Sequence, residues 1–88
     1  MTILITKEFK KRYKKLQRTI QAKAEKQEQL FRANPFHPSL HTEKLKPRHN
    51  EIWSIRIDKK YRIIFRFVDG ETILFLTVGS HDWIYNFT

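Results

Sequence analysis

The sequence predicts an α+β domain, an N-terminal helical hairpin packed on a twisted antiparallel β-sheet. Three observations carry that prediction. Apolar residues recur at helical spacing through the first third of the chain, alternate with polar ones through the last third, and are separated by a Pro- and His-bearing stretch with neither period. Eighty-eight residues make one domain, read as spanning 1–88. Hydrophobic residues make up 40%, with two Trp, three Tyr and seven Phe, which supplies a core and excludes a disordered tail.

Ile3 to Ile5 is a short β-prone run suited to a sheet edge. Thr6 is placed to cap a helix beginning at Lys7. Phe9, Tyr13, Leu16, Ile20, Ala24, Leu30 and Phe31 then fall on one helical stripe, which ends at Asn34-Pro35. A single helix over that stripe would be ~40 Å long, whereas a compact domain of this size has a radius of gyration of about 12 Å. A break near Gln17 to Thr19 is therefore expected, with Thr19 capping the second helix. Pro35 to Asn50 reads as an ordered basic connection with one short strand around Thr42 to Lys46. Ile52 to Ile57 is a strand and Asp58-Lys59-Lys60 a turn. Tyr61 to Phe67 is the second long strand, Asp69-Gly70 a hairpin signal, and Thr72 to Val78 the third.

Alternation divides the second long strand. Tyr61, Ile63, Phe65 and Phe67 point one way; Arg62, Ile64 and Arg66 point the other. Unpaired charges are too costly to bury beneath packed helices. The helices are thus expected on the aromatic face, with Arg62 and Arg66 looking into an open concavity.

Eighteen Lys and Arg against nine Asp and Glu leave a formal charge of +9. Such a surplus attracts polyanions, nucleic acid first and an acidic protein next. No cysteine is present, which excludes disulfides, thiolate nucleophiles and zinc ribbons. His37 and His41 are four apart, but Pro38 between them argues against a helical metal pair. No metal or cofactor is expected. The run Met1 to Thr6 is shorter than a signal peptide's apolar region or a membrane span, so a cytoplasmic protein is the economical reading.

Several polar groups admit two readings. Lys10, Lys11, Arg12, Lys14, Lys15 and Arg18 form either a solvated helix face or a set of phosphate contacts. His81 follows Gly79, which permits close backbone approach at a strand end; it is either a surface imidazole or a proton donor at neutral pH. Glu43 stands alone among Lys44, Lys46 and Arg48, either paired with one of them or acting as a general base.

The order of these pieces resembles the RelE/ParE superfamily of bacterial toxin–antitoxin systems, in its RelE-like mRNA interferase branch. The resemblance covers nearly the whole chain. It rests on the basic helical hairpin, on Asn34-Pro35-Phe36-His37-Pro38-Ser39-Leu40 and on Lys44-Leu45-Lys46. It rests further on Trp53-Ser54-Ile55-Arg56-Ile57, Tyr61-Arg62-Ile63-Ile64-Phe65 and the closing Val78-Gly79-Ser80-His81-Asp82. It implies a toxin whose concave sheet face is basic and which enters the ribosomal A site to cut mRNA there. In that reaction the 2′-hydroxyl attacks the adjacent phosphate. By the same resemblance Glu43 matches a general base, Arg62 the cation at the scissile phosphate, and His81 the general acid. Lys44, Lys46 and Arg48 match an RNA-contacting basic segment, Arg56 falls near a basic or His position, and Arg66 joins them on the open face. An acidic cognate antitoxin, the ribosome and mRNA are the implied partners. A ParE-like, non-enzymatic block of DNA gyrase and an inactive RNA-binding relative are the alternatives. Glu43, Arg62 and His81 have no evident purpose in a gyrase blocker.

Overall fold

A computed structural model describes residues 1–46 and 51–87 of the chain. The elements run β1 (Thr2–Ile5), α1 (Lys7–Lys14), α2 (Arg18–Ala33), a one-turn 3-10 helix (Pro38–Leu40), β2 (Glu43–Lys46), β3 (Ile52–Arg56), β4 (Tyr61–Phe67), β5 (Thr72–Ser80) and α3 (His81–Phe87). The described strands form one sheet in the order β1-β5-β4-β3-β2. The sheet is antiparallel except at its edge, where β1 runs parallel to β5. No helix among the described residues is long and apolar enough to cross a membrane.

Thr6 caps α1 as its sequence position requires, and it does more. Its Oγ1 accepts from the Phe9 amide at 2.9 Å and donates to the Leu76 carbonyl at 2.7 Å. Leu76 is the extra residue of a β-bulge, because Ile64 pairs with Thr77 while Phe65 pairs with Phe75. One hydroxyl thus starts a helix and satisfies a carbonyl in the irregular part of the central sheet.

The helical stripe breaks where compactness demands, at Lys15 to Gln17, and the radius of gyration is 11.9 Å. Thr19, however, is not the cap. Gln17 holds the extended cap position (ψ 151°) without a side-chain bond, and Thr19 lies inside the first turn of α2. A reciprocal clasp substitutes for the missing cap. The Tyr13 hydroxyl donates to the Gln21 carbonyl (3.2 Å), and the Gln21 amide donates to the Tyr13 carbonyl (2.9 Å).

The core lies between this hairpin and the aromatic face of the sheet. Phe31 is fully buried, edge-on to Phe65 at 5.0 Å and to Phe75 at 5.8 Å between centroids. Burying one such ring contributes about 1.5–3 kcal/mol. A second aromatic group, Phe36, Trp53 and Phe67, extends the same face toward β2.

The opposite face departs from the expected open concavity. Beyond Val78 the strand runs on to Ser80, and α3 then crosses the outer face. Ser80 Oγ accepts from the Trp83 amide at 3.3 Å, and Ile84 is buried. Gly79 allows this crossing. A Cβ there would lie 2.6 Å from Trp83 Cε3, so the indole occupies the space that any other residue would fill. Ile64 and Thr77 are fully buried on this side, and Arg62 is only 9% exposed. The apolar residues of this face, Ile64 and Ile84, are what draw the cover down.

Candidate functional site

Cross-strand register carries each side chain's face across the sheet. Glu43, Ser54, Ile64 and Thr77 form one row on the outer face, and Arg56, Arg62 and Gly79 form the next. Arg56 and Arg62 therefore stand directly opposite each other. Like charges so placed are destabilising, and the fold compensates locally. Arg62 Nη1 donates to the carbonyls of Asp58 (2.8 Å), Tyr61 (3.1 Å) and Lys59 (3.2 Å), all in the β3–β4 turn.

Asp58 builds that turn. Its Oδ1 accepts the amides of Lys60 and Tyr61, each at 2.8 Å, and its Oδ2 lies 3.6 Å from Lys23 Nζ on α2. Burial pushes the Asp58 carboxyl up, but the Tyr61 and Lys60 amides and the Lys23 ammonium outweigh it and hold the group below the usual carboxylate range. Sequence reasoning read Asp58 as a turn residue and missed that it sets the carbonyls on which Arg62 rests.

His81 reaches the same turn from the other strand. Its amide donates to the Lys60 carbonyl at 2.6 Å, which seats it at the first position of α3 beside the Arg62 carbonyl cluster. Its imidazole is 43% exposed, with Nδ1 3.6 Å from Asp82 Oδ1. Arg62 and His81 are thus brought together at one end of the outer face.

Glu43 is exposed on that face two strands from Arg62. Two strand spacings are about 10 Å. Arg62 lies between Glu43 and His81 in the strand order. Arg66 is exposed on the same face, four residues along β4 from Arg62. Lys44 falls elsewhere. It pairs with Trp53 on the aromatic side, where its Nζ lies 5.8 Å from the Trp53 ring centroid and 3.3 Å from Glu51 Oε1. Lys46 belongs to β2, and Arg48 lies outside the described residues.

The basic run of α1 also divides. Lys10, Lys11, Lys14 and Lys15 are exposed, but Arg12 is not simply solvated. Its guanidinium lies 3.9 Å from the Trp83 ring centroid and pairs with Glu8, whose carboxylate also meets the Thr77 hydroxyl at 3.5 Å. The Arg12 hydrogen bond holds the Glu8 carboxyl below its ordinary value. α1 therefore anchors α3 across the end of β5, a contact between residues 71 positions apart that no local pattern announces.

A guanidinium fixed by carbonyls, a second guanidinium opposite it and an imidazole at the same turn make this end of the outer face a candidate anion site. Comparison with known proteins identifies the family. A family model described as the RelE-like toxin of the type II toxin–antitoxin system HigB matches residues 4–81. No curated protein sequence matches the chain. Among solved structures, the chain is similar to a YoeB/ParE toxin from Agrobacterium tumefaciens, at 24% identity and a TM-score of 0.75, covering 92% of this chain and 99% of that one. It is similar to the toxin–antitoxin complex RelB–RelE from Methanococcus jannaschii, at 29% identity and a TM-score of 0.72, covering 96% of each chain. The E. coli DinJ–YafQ toxin–antitoxin complex shares the fold, at 14% identity and a TM-score of 0.77, covering 94% of each chain.

Proposed function

Since the chain belongs to the HigB-type RelE-like toxins of type II toxin–antitoxin systems, we propose that it is a ribosome-dependent mRNA endonuclease that cuts message in the A site. The observation that carries this reading is the cross-strand pair Arg56–Arg62 at the turn that also seats His81. Juxtaposed guanidiniums cost stability in the free protein, and a phosphate bound between them offsets that cost.

In the reaction the 2′-oxygen bonds to phosphorus and the P–O5′ bond breaks, leaving a 2′,3′-cyclic phosphate and a 5′-hydroxyl. Glu43 takes the 2′ proton. Arg62 stabilises the charge that builds on the phosphorane, pre-oriented by its carbonyl contacts so that little reorganisation is needed. His81 acts as the general acid that gives a proton to the 5′-oxygen. The strand order, with Glu43 on one side of Arg62 and His81 on the other, supports this division between base and acid. Lys46, Arg48, Arg56 and Arg66 supply the surrounding positive field that draws in the RNA backbone, while Lys44, turned to the aromatic side and paired with Glu51, lies apart from it. An acidic antitoxin segment that folds as it binds neutralises much of the +9 charge.

Single-turnover cleavage of ribosome-bound message tests the assignment. Arg62→Ala is expected to lower the rate at saturating toxin by about 10²–10³-fold, and His81→Ala by about 10²–10⁴-fold. Wild-type rates in both variants would remove the proposed roles. Lys11→Ala is expected to weaken ribosome binding alone, with the defect relieved at low salt.

A further inference from the structure

The β3–β4 turn has a second side. Behind it a cleft opens between α2, the 3-10 helix and the end of β3, lined by Gln27, Ser39, His41, Arg56, Asp58 and Lys59. Two carbonyls and the carboxylate in its walls are already engaged. The Gln27 amide donates to the Arg56 carbonyl at 2.9 Å and to the Ser39 carbonyl at 3.2 Å. The Asp58 carboxylate is taken up by two backbone amides and by Lys23. Its basic side chains are free of acids: Arg56 and Lys59 have no acidic partner among the described residues, and His41 is exposed. A cleft with occupied acceptors and available cations selects an anion.

Position says which anion. Arg56 lines this cleft, where its carbonyl accepts from Gln27, and it is also the register partner of Arg62. The turn separating them offers its carbonyls to Arg62 and to the His81 amide on one side and carries Lys59 and Asp58 on the other. A strand held at Arg62 that continues over the turn meets the cleft at its next contact.

Resting on the endonuclease reading, we propose that this cleft binds a second phosphodiester of the same RNA strand, near the one cleaved. Arg56 is shared between the two positions, while Lys59 and His41 serve the second alone. The contact sets how the message lies across the outer face, and its loss alters binding rather than chemistry.

The test pairs changes in the RNA with changes in the protein. Ribosome-bound message carrying a 2′-deoxy nucleotide at the cleavage position binds without reacting. Single neutral methylphosphonate linkages are placed one at a time on either side of it. The protein variants are Lys59→Ala and His41→Asn/Lys59→Ala; Asn tolerates the left-handed backbone at position 41 (φ 48°). One linkage is expected to weaken wild-type binding about tenfold and to have no effect in the double variant. The salt dependence should fall by about 0.7 in log–log slope for each contact removed. Wild type and variants responding alike at every linkage would overturn the proposal. So would a loss in the double variant that is equal for all messages, which would place the contact on ribosomal RNA. Cleavage of all-ribose message by the wild-type chain reports separately: a chain that binds with the expected linkage pattern but does not cut removes the endonuclease reading and leaves the cleft.

Discussion

The two faces of the central sheet solve opposite problems. The face under α1 and α2 is dry and interlocked: Phe31, Phe65 and Phe75 are buried to 2% exposure or less and pack edge-on or tilted against one another. The outer face buries Arg62, Ser54 and Thr77 beside Ile64, under a cover only seven residues long. No buried side-chain N or O lacks a hydrogen-bond partner among the described residues, so what this face costs comes from its juxtaposed charges and not from unmade hydrogen bonds. Stability is concentrated on one side, and the candidate site lies on the other. Five residues of β4 serve both, because successive side chains point to opposite faces: Ile63 and Phe65 hold the core between Arg62, Ile64 and Arg66.

The contrast can be broken by substitution, beginning where the effect is greatest. Phe31→Ala should destabilise the domain by about 3–5 kcal/mol, enough to unfold much of a chain this small. Chemical denaturation measures it, and a cost near 1 kcal/mol would mean that the helix face does not carry the stability. Gly79→Ala forces a methyl into the Trp83 ring and should cost about 1–3 kcal/mol. Trp83 emission, read in a Trp53→Phe background, should shift to the red as α3 lifts. An unchanged spectrum would show that α3 is not held through this contact.

Asp58→Ala sharpens the comparison from the outer side. It removes the turn's two side-chain-to-backbone bonds and should cost about 1 kcal/mol at neutral pH. The Asp58 carboxyl is held below its ordinary value, so its contribution is fully present above the unfolded-state pKa of about 3.9 and is lost as pH falls through the lower folded-state value. Wild type and variant should therefore converge in acid, and a gap that persists at pH 2 would assign the effect to something other than the carboxylate. Arg66→Ala, exposed at the far end of β4, should change stability by no more than about 0.5 kcal/mol while weakening RNA binding. A larger loss of stability would make Arg66 structural.

How far the candidate site could be read depended on the range of each interaction. Arg62 was placed on the correct face by alternation alone, yet its burial was not legible. The carbonyls that receive it lie only one to four residues away, but α3, which covers this face, reaches it only once β5 has paired with β4. Lys44 shows the same limit in reverse: its position beside Glu43 suggested a shared surface, but adjacent strand residues face opposite ways, and pairing with Trp53 sends it to the aromatic side. Asp69-Gly70 marked the hairpin correctly for a different reason from the one that made it recognisable. Gly70 does not have a positive φ, and the turn is held by Asp69 Oδ1 accepting the Glu71 amide at 2.8 Å.

Local chemistry in the sequence determined the elements themselves: the Thr6 cap, the helical stripe ending at Asn34-Pro35, the period-two strands and the division of β4 into two faces. Each depends on residues within a few positions of one another, where side-chain spacing and backbone preference act directly. Tertiary structure alone decided that Gln17 rather than Thr19 opens α2, because the Tyr13–Gln21 clasp sets the angle of the hairpin. It alone turned the last residues into a helix over the outer face, because Trp83 needed both the space above Gly79 and the Arg12 guanidinium from the other end of the chain. Those contacts are worth something only after the sheet has formed between them, and so leave no mark in any short stretch of sequence.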